Sequence, residues 1–231
     1  MSDIKATKKK KKKKIRPLYM FAYPWLSPLV KLFCNVRVKG KENIPKDGGC
    51  IVVSNHLSNS DVLIIGAVFP MSRQVNTLAK IELFTKPFFR AIITGMGGIP
   101  INRKTSNLES IKKCIALAKD GKVVLVFPQG KRCFGENPAD TVVYPGAAMI
   151  AIRSQCPILP VSIETKGMRF RFFKRTNVTI GKPISYEELC KIGESSNDYK
   201  AITKYYFDEL CAIGGFQSTN SKGDADDSSC R

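Results

Sequence analysis

The stretch Cys50-Ile-Val-Val-Ser-Asn-His-Leu-Ser-Asn-Ser-Asp-Val-Leu-Ile-Ile-Gly-Ala-Val-Phe69 holds two apolar runs separated by a polar loop. The first run is short and rich in valine and isoleucine, which suits a strand buried on both faces. The second, after Asp61, reads as an apolar helix. Strand, loop and helix in this order open a βαβ unit. The loop Ser54-Asn55-His56-Leu57-Ser58-Asn59-Ser60-Asp61 then leaves the carboxyl end of the strand, where ligands bind in open α/β sheets. Asp61 falls in the first turns of the helix, near enough to fold back on the imidazole. A carboxylate on one ring nitrogen fixes the tautomer and frees the other as a general base. Taken alone, such a pair is more often a structural histidine bonded to a helix-capping acid.

Outward from this unit the alternation continues. Strands are predicted at Val36–Lys39, Gln74–Ala79, Ile99–Asn102, Val123–Phe127, Ile158–Ile163 and Val178–Ile180. Helices are predicted near 60–69, 82–94, 106–119, 146–154, 186–192 and 199–212. Ser106 with Glu109 forms a capping box for the third helix, and Asp120-Gly121 stops it. The fold class is α/β, a domain over 36–213 with a largely parallel or mixed central sheet flanked by helices.

The 231 residues are 43% hydrophobic, enough for a sizeable core. The charge is +19, and the run Lys8–Lys14 supplies seven of it, leaving a body basic in its own right. An anionic partner is expected: nucleic acid, lipid headgroups or a phosphorylated substrate. Residues 1–14 read as a disordered polybasic tail and 214–231 as a frayed terminal segment. Residues 15–35 are apolar and aromatic, but Pro17, Pro24 and Pro28 interrupt them, and the segment is short of a spanning helix. Tyr19, Phe21, Tyr23 and Trp25 suit a bilayer interface behind the lysine run; the other reading is a core-docking helix. The eight cysteines are scattered with no Cys-x-x-Cys pair, no signal peptide is recognisable, and His56 is the one histidine, so disulfide scaffolds and mixed Cys/His zinc sites are not expected.

Three further constellations recur at strand ends. Gly97-Gly-Ile-Pro-Ile-Asn-Arg103 is a glycine turn into a strand that ends on arginine, whose planar fork suits phosphate. Phe127-Pro-Gln-Gly-Lys-Arg132 leaves a buried strand through a turn whose N–H groups, near Gly130, could receive an oxyanion. Leu159-Pro-Val161 is another buried strand. Asn-His-x-x-x-x-Asp, Gly-x-x-x-x-Asn-Arg, Phe-Pro-x-Gly-x-Arg and Leu-Pro-Val, in this order, resemble the 1-acylglycerol-3-phosphate acyltransferase family over residues 36 to about 185.

The resemblance implies a glycerol-3-phosphate acyltransferase-like domain at the cytoplasmic face of a membrane, peripheral to it. It implies an acyl thioester of acyl-carrier protein or coenzyme A as co-substrate, a lysophospholipid acceptor, and no metal or other cofactor. His56 and Asp61 are implied to be catalytic, and Arg103, Arg132, Lys80 and Lys131 to hold the acceptor's phosphate. Asn55, Gly97, Gln129 and Gly130 are expected as further substrate contacts. The third motif departs from the family's Phe-Pro-Glu-Gly-Thr-Arg: Gln129 keeps the shape and the carbonyl acceptor but loses the charge, and Lys131 adds a cation. Alternatives are another lysolipid acceptor, or a non-catalytic binder of anionic lipid or nucleic acid. Nucleic acid is disfavoured because no recognised motif accompanies the charge.

Overall fold

The computed structural model describes residues 16–102, 108–193 and 198–218. The first half of the chain comprises α1 (Pro17–Phe33), β1 (Val36–Lys39), β2 (Cys50–Ser54), α2 (Asp61–Val68), β3 (Val75–Lys80), α3 (Pro87–Gly95) and β4 (Gly98–Ile101). The second half comprises α4 (Leu108–Lys119), β5 (Val123–Val126), α5 (Gly146–Ser154), β6 (Ile158–Thr165), β7 (Thr176–Ile180), α6 (Tyr186–Ile192) and α7 (Tyr199–Gly214). The strands form one seven-stranded sheet of order β1-β7-β6-β2-β5-β3-β4. From β6 to β4 every neighbouring pair is parallel; β7 turns back antiparallel to β6, and β1 runs parallel with β7. The sheet is therefore mixed, within the expectation.

Every residue of β2 is buried, because the period of two sends its side chains into two separate cores. Cys50 and Val52 face the side covered by α1 and α2, with Ile64, Ile65 and Phe69. Ile51 and Val53 face the side covered by α4, α5 and α7, with Ala147, Tyr206 and Leu210. Both faces covered by helices is what a parallel sheet requires.

At the ends of the domain the structure makes one reading definite and corrects another. The apolar segment is a single α-helix despite Pro24 and Pro28 inside it. Pro17 takes the first turn, where its missing N–H costs nothing. Tertiary bonds outweigh the two lost helical bonds: Tyr23 Oη donates to the Phe69 carbonyl at 2.6 Å and Ser27 Oγ to the Ala67 carbonyl at 2.9 Å. The chain after α7 also stays packed: Gly215, at φ 68°, caps the helix and Phe216 folds back into the core. The lysine tail, Ser106 of the capping box and the segment after Ser218 lie outside the described residues.

The consequence for function is directional. The strands from β6 to β4 are parallel, so their carboxyl ends share one edge of the sheet. The loops after β2, β3, β4, β5 and β6 all gather there.

Candidate active site

Asp61 is the first residue of α2, and its carboxylate is 1% exposed. Oδ2 accepts from His56 Nδ1 at 2.8 Å and from the backbone N–H groups of Leu57 and Ser58, each at 2.7 Å. Oδ1 accepts from Ser58 Oγ at 2.8 Å, and that hydroxyl accepts from the Ser60 N–H at 3.1 Å. The start of a helix favours the negative charge. An ionised carboxylate can only accept, so Nδ1 carries the hydrogen and the Nε2 lone pair is left free. Phe127 holds the ring from one side, stacked at 4.0 Å between centroids and tilted by 16°. The imidazole is 13% exposed, enough to meet a substrate.

The loop after β5 brackets the histidine backbone. Gln129, 1% exposed, accepts the His56 N–H on Oε1 at 2.7 Å and donates from Nε2 to Thr141 Oγ1 at 2.7 Å. Thr141 Oγ1 donates onward to the Pro138 carbonyl at 2.7 Å. From the other side the Cys133 N–H donates to the His56 carbonyl at 2.8 Å. Arg132 reaches back to the first loop: Nη1 donates to Asn59 Oδ1 at 2.7 Å, and the guanidinium lies 5.3 Å from the Phe134 ring centroid. Burial, and then the nearby Glu136, push the Cys133 thiol above its ordinary range. It stays protonated at neutral pH and is no nucleophile.

Not every predicted residue is at the surface of this site. Lys80 ends β3 at the same edge of the sheet and is exposed, as is Lys131; Arg132 is half-buried. Arg103 lies outside the described residues; Ile101, at the end of β4, pairs opposite Lys80. Asn55 is buried with both ends of its amide committed. Nδ2 donates to the Ile163 carbonyl and Oδ1 accepts the Ile163 N–H, both at 2.8 Å, clamping the end of β2 to β6. Gly97 is at the opposite edge, before β4, where φ is 103° and an added Cβ would lie 2.5 Å from the Val75 carbonyl oxygen. It is a turn glycine, far from the histidine's edge. Gly130 shapes the loop at φ 65°, and its N–H is consumed by the Phe127 carbonyl at 3.1 Å, so that amide is not an oxyanion donor. Gln129 likewise acts on His56 rather than on substrate.

Sequence reasoning missed Ser58, Asn59, Phe127 and Thr141. Ser58-x-x-Asp61 is a capping-box spacing and could have revealed the serine. Nothing local marks the others. An apolar cleft lies between α1 and α2, lined by Tyr19, Tyr23, Leu26, Val62, Gly66 and Met96 among others.

A family model described as Acyltransferase matches residues 35–164. The chain is 29% identical over 177 residues to the 1-acyl-sn-glycerol-3-phosphate acyltransferase of Bacillus subtilis, covering 76% of this chain and 86% of that protein. It is 30% identical over 194 residues to the 1-acyl-sn-glycerol-3-phosphate acyltransferase of Streptococcus pneumoniae, covering 79% and 70%. The crystal structure of the 1-acyl-sn-glycerophosphate acyltransferase PlsC from Thermotoga maritima superposes with a TM-score of 0.62 at 26% identity, covering 84% of this chain and 81% of that one.

The bracket on His56 gives a test that separates positioning from binding. Gln129→Leu leaves the His56 N–H without its acceptor and removes the donor to the Thr141 hydroxyl, a loss of about 1–3 kcal/mol in stability. The variant should lose kcat while its KM values stay near wild type, and Gln129→Glu, which keeps the acceptor for the His56 N–H, should recover most of the kcat. Steady-state kinetics on the three proteins, with melting curves alongside, reads the split.

Proposed function

The chain belongs to the acyltransferase family, and on that premise we propose that it moves a fatty acyl group from a thioester to the free hydroxyl of 1-acyl-glycerol-3-phosphate, giving phosphatidic acid. The observation that carries this reading is the His56–Asp61 pair at the carboxyl edge of the sheet, held at 2.8 Å with every other bond of the carboxylate made. Nε2 takes the proton of the acceptor hydroxyl as its oxygen bonds to the thioester carbonyl carbon. Asp61 stabilises the imidazolium that forms. The tetrahedral intermediate then breaks its C–S bond, and the imidazolium returns the proton to the departing sulfur. No acyl-enzyme is required, and the thiol is that of coenzyme A or of acyl-carrier protein.

Arg132 has four N–H donors left after its bond to Asn59. Lys131 and Lys80, and Arg103 by its motif, join it in binding the acceptor's phosphate, turning binding energy into orientation of the hydroxyl. The apolar cleft between α1 and α2 takes an acyl chain: Val62, next to Asp61, lines it, and its walls are mostly apolar. No helix among the described residues is long and apolar enough to cross a membrane. The outward face of α1 exposes Phe21 and Trp25, each over three-quarters, together with Leu29 and Leu32. That face lies in a bilayer interface, so the enzyme meets its lipid substrates as a peripheral protein.

Purified protein assayed with labelled acyl thioesters and a panel of lysolipids tests the reading. His56→Ala should reduce transfer by about 10²- to 10⁴-fold. Asp61→Asn should retain substrate binding with a large loss of kcat. A correctly folded His56→Ala protein that transfers at the wild-type rate would overturn the mechanism, and equal use of acceptors lacking the phosphate would overturn the acceptor. Arg132→Ala should cut kcat/KM for the phosphorylated acceptor roughly ten- to a hundredfold, with the donor's KM unchanged.

Chain length offers an independent check. Gly66 lines the cleft and a Cβ added there meets nothing within 4 Å, so Gly66→Leu narrows the cleft. Each methylene it excludes costs about 0.8 kcal/mol, or roughly fourfold. Long-chain substrates should therefore lose kcat/KM progressively while short ones are unaffected, as a chain-length series would show.

A further inference from the structure

Between β6 and β7 lies a loop with the sequence Lys166-Gly-Met-Arg-Phe-Arg-Phe-Phe-Lys-Arg175. Lys166, Arg169, Arg171, Lys174 and Arg175 line one broad depression. None of the five forms an ion pair with a carboxylate among the described residues. The acid that shares the depression, Glu164, accepts from Asn177 Nδ2 at 3.1 Å. Five cations clustered about a single carboxylate repel one another, and an anionic surface relieves that repulsion. The apolar residues between them are just as unusual: Phe172 and Phe173 are each 64% exposed.

The loop is built rather than slack. Phe173 has φ 62°, a conformation costly for a bulky residue. Two contacts hold it there: its N–H donates to the Phe33 carbonyl at 2.7 Å, and its ring meets that of Phe33 edge-on at 5.4 Å. Phe33 ends α1, so the loop's aromatic tip continues the exposed face of Trp25, Leu29 and Leu32. At its other side the loop is tied to the loop after β5, where the Gly135 N–H donates to the Met168 carbonyl at 3.0 Å.

We propose that the β6–β7 loop is a second membrane contact, in which Phe172 and Phe173 enter the interface and the five cations take anionic lipid headgroups. This rests on the peripheral-membrane reading above and extends it. One helix lying in an interface can roll about its axis; a second contact beside its carboxyl end fixes the roll and turns the edge of the sheet that carries His56 toward the bilayer. An acidic carrier protein docking on the same cations would account for the charge. It would leave two exposed phenylalanines, continuous with the apolar face of α1, without a reason, so the lipid surface is favoured.

The test is co-sedimentation of full-length protein with neutral vesicles and with vesicles containing anionic lipid, at 0.1 M and 1 M salt. Two variants are compared with wild type: Arg169→Gln, Arg171→Gln, Lys174→Gln and Arg175→Gln combined, and Phe172→Ala alone. Each cation at an anionic surface is worth about fivefold in partitioning. The quadruple variant should therefore bind anionic vesicles at least roughly tenfold more weakly at 0.1 M salt, and the gap should close at 1 M, where screening shortens to about 3 Å. Phe172→Ala should weaken binding to both vesicle types at either salt. Both variants should keep wild-type turnover on detergent-dispersed acceptor, which reports their folding. Unchanged vesicle binding by both variants while wild type binds would overturn the loop's role and leave the membrane reading standing. Failure of wild type to bind any vesicle would overturn both. Unchanged vesicle binding with a raised KM for acyl-carrier-protein thioesters, and not for coenzyme A thioesters, would assign the loop to the carrier protein instead.

Discussion

A carboxylate withdrawn almost completely from water is tolerated only when its lone pairs are filled, and the catalytic end of this protein is organised by that requirement. Asp61 meets it with three bonds to Oδ2 and one to Oδ1, all drawn from the three residues His56 to Ser58. The loop after β2 therefore cannot relax independently of the acid. Turning the Leu57 and Ser58 N–H groups inward closes the loop around Asp61, and the same closure delivers Nδ1 of His56 in the tautomer that leaves Nε2 as a base. Fold stability and chemical competence depend here on one set of hydrogen bonds.

That local closure would be useless without the parallel sheet. His56 and Gln129 are 73 residues apart, yet their bond is 2.7 Å long because β2 and β5 are adjacent and parallel, so both loops leave the same edge. Lys80 arrives by the same route at the end of β3. The Asn55 clamp to Ile163 stiffens the other side by joining β2 to β6 just where the catalytic loop begins. Topology collects the groups, and buried polar bonds then fix them.

Much of this was legible in the sequence, for identifiable reasons. Runs of β-branched residues bounded by polar loops mark β1 and β2 at their observed limits, and the spacing of His56 and Asp61 places an acid at the start of a helix. What the sequence left unread is tertiary. A motif residue looks the same whether its side chain faces substrate or framework, so Asn55 and Gln129 were expected at the surface and lie buried as struts. Gly97 shares a motif with Arg103, but a strand separates them, and a strand's length carries a glycine to the far edge of the sheet. Proline rules argue against a helix at Pro24 and Pro28; the bonds of Tyr23 and Ser27 to the end of α2, invisible locally, override them.

The departure of the third motif from Phe-Pro-Glu-Gly-Thr-Arg can now be placed physically. At position 129 the bond to the His56 N–H needs only an acceptor, which an amide and a carboxylate both supply. The second oxygen or nitrogen faces Thr141 Oγ1. An amide donates to that hydroxyl, leaving the hydroxyl's own hydrogen for the Pro138 carbonyl, and the chain of three bonds runs in one direction. A carboxylate would have to receive the Thr141 hydrogen, so the bond to Pro138 would be lost. The neutral residue thus suits a threonine at 141. The charge no longer carried at 129 and the cation added at 131 leave the mouth of the site two charges more positive than the Glu/Thr pattern, a change that favours an acceptor bearing a phosphate dianion.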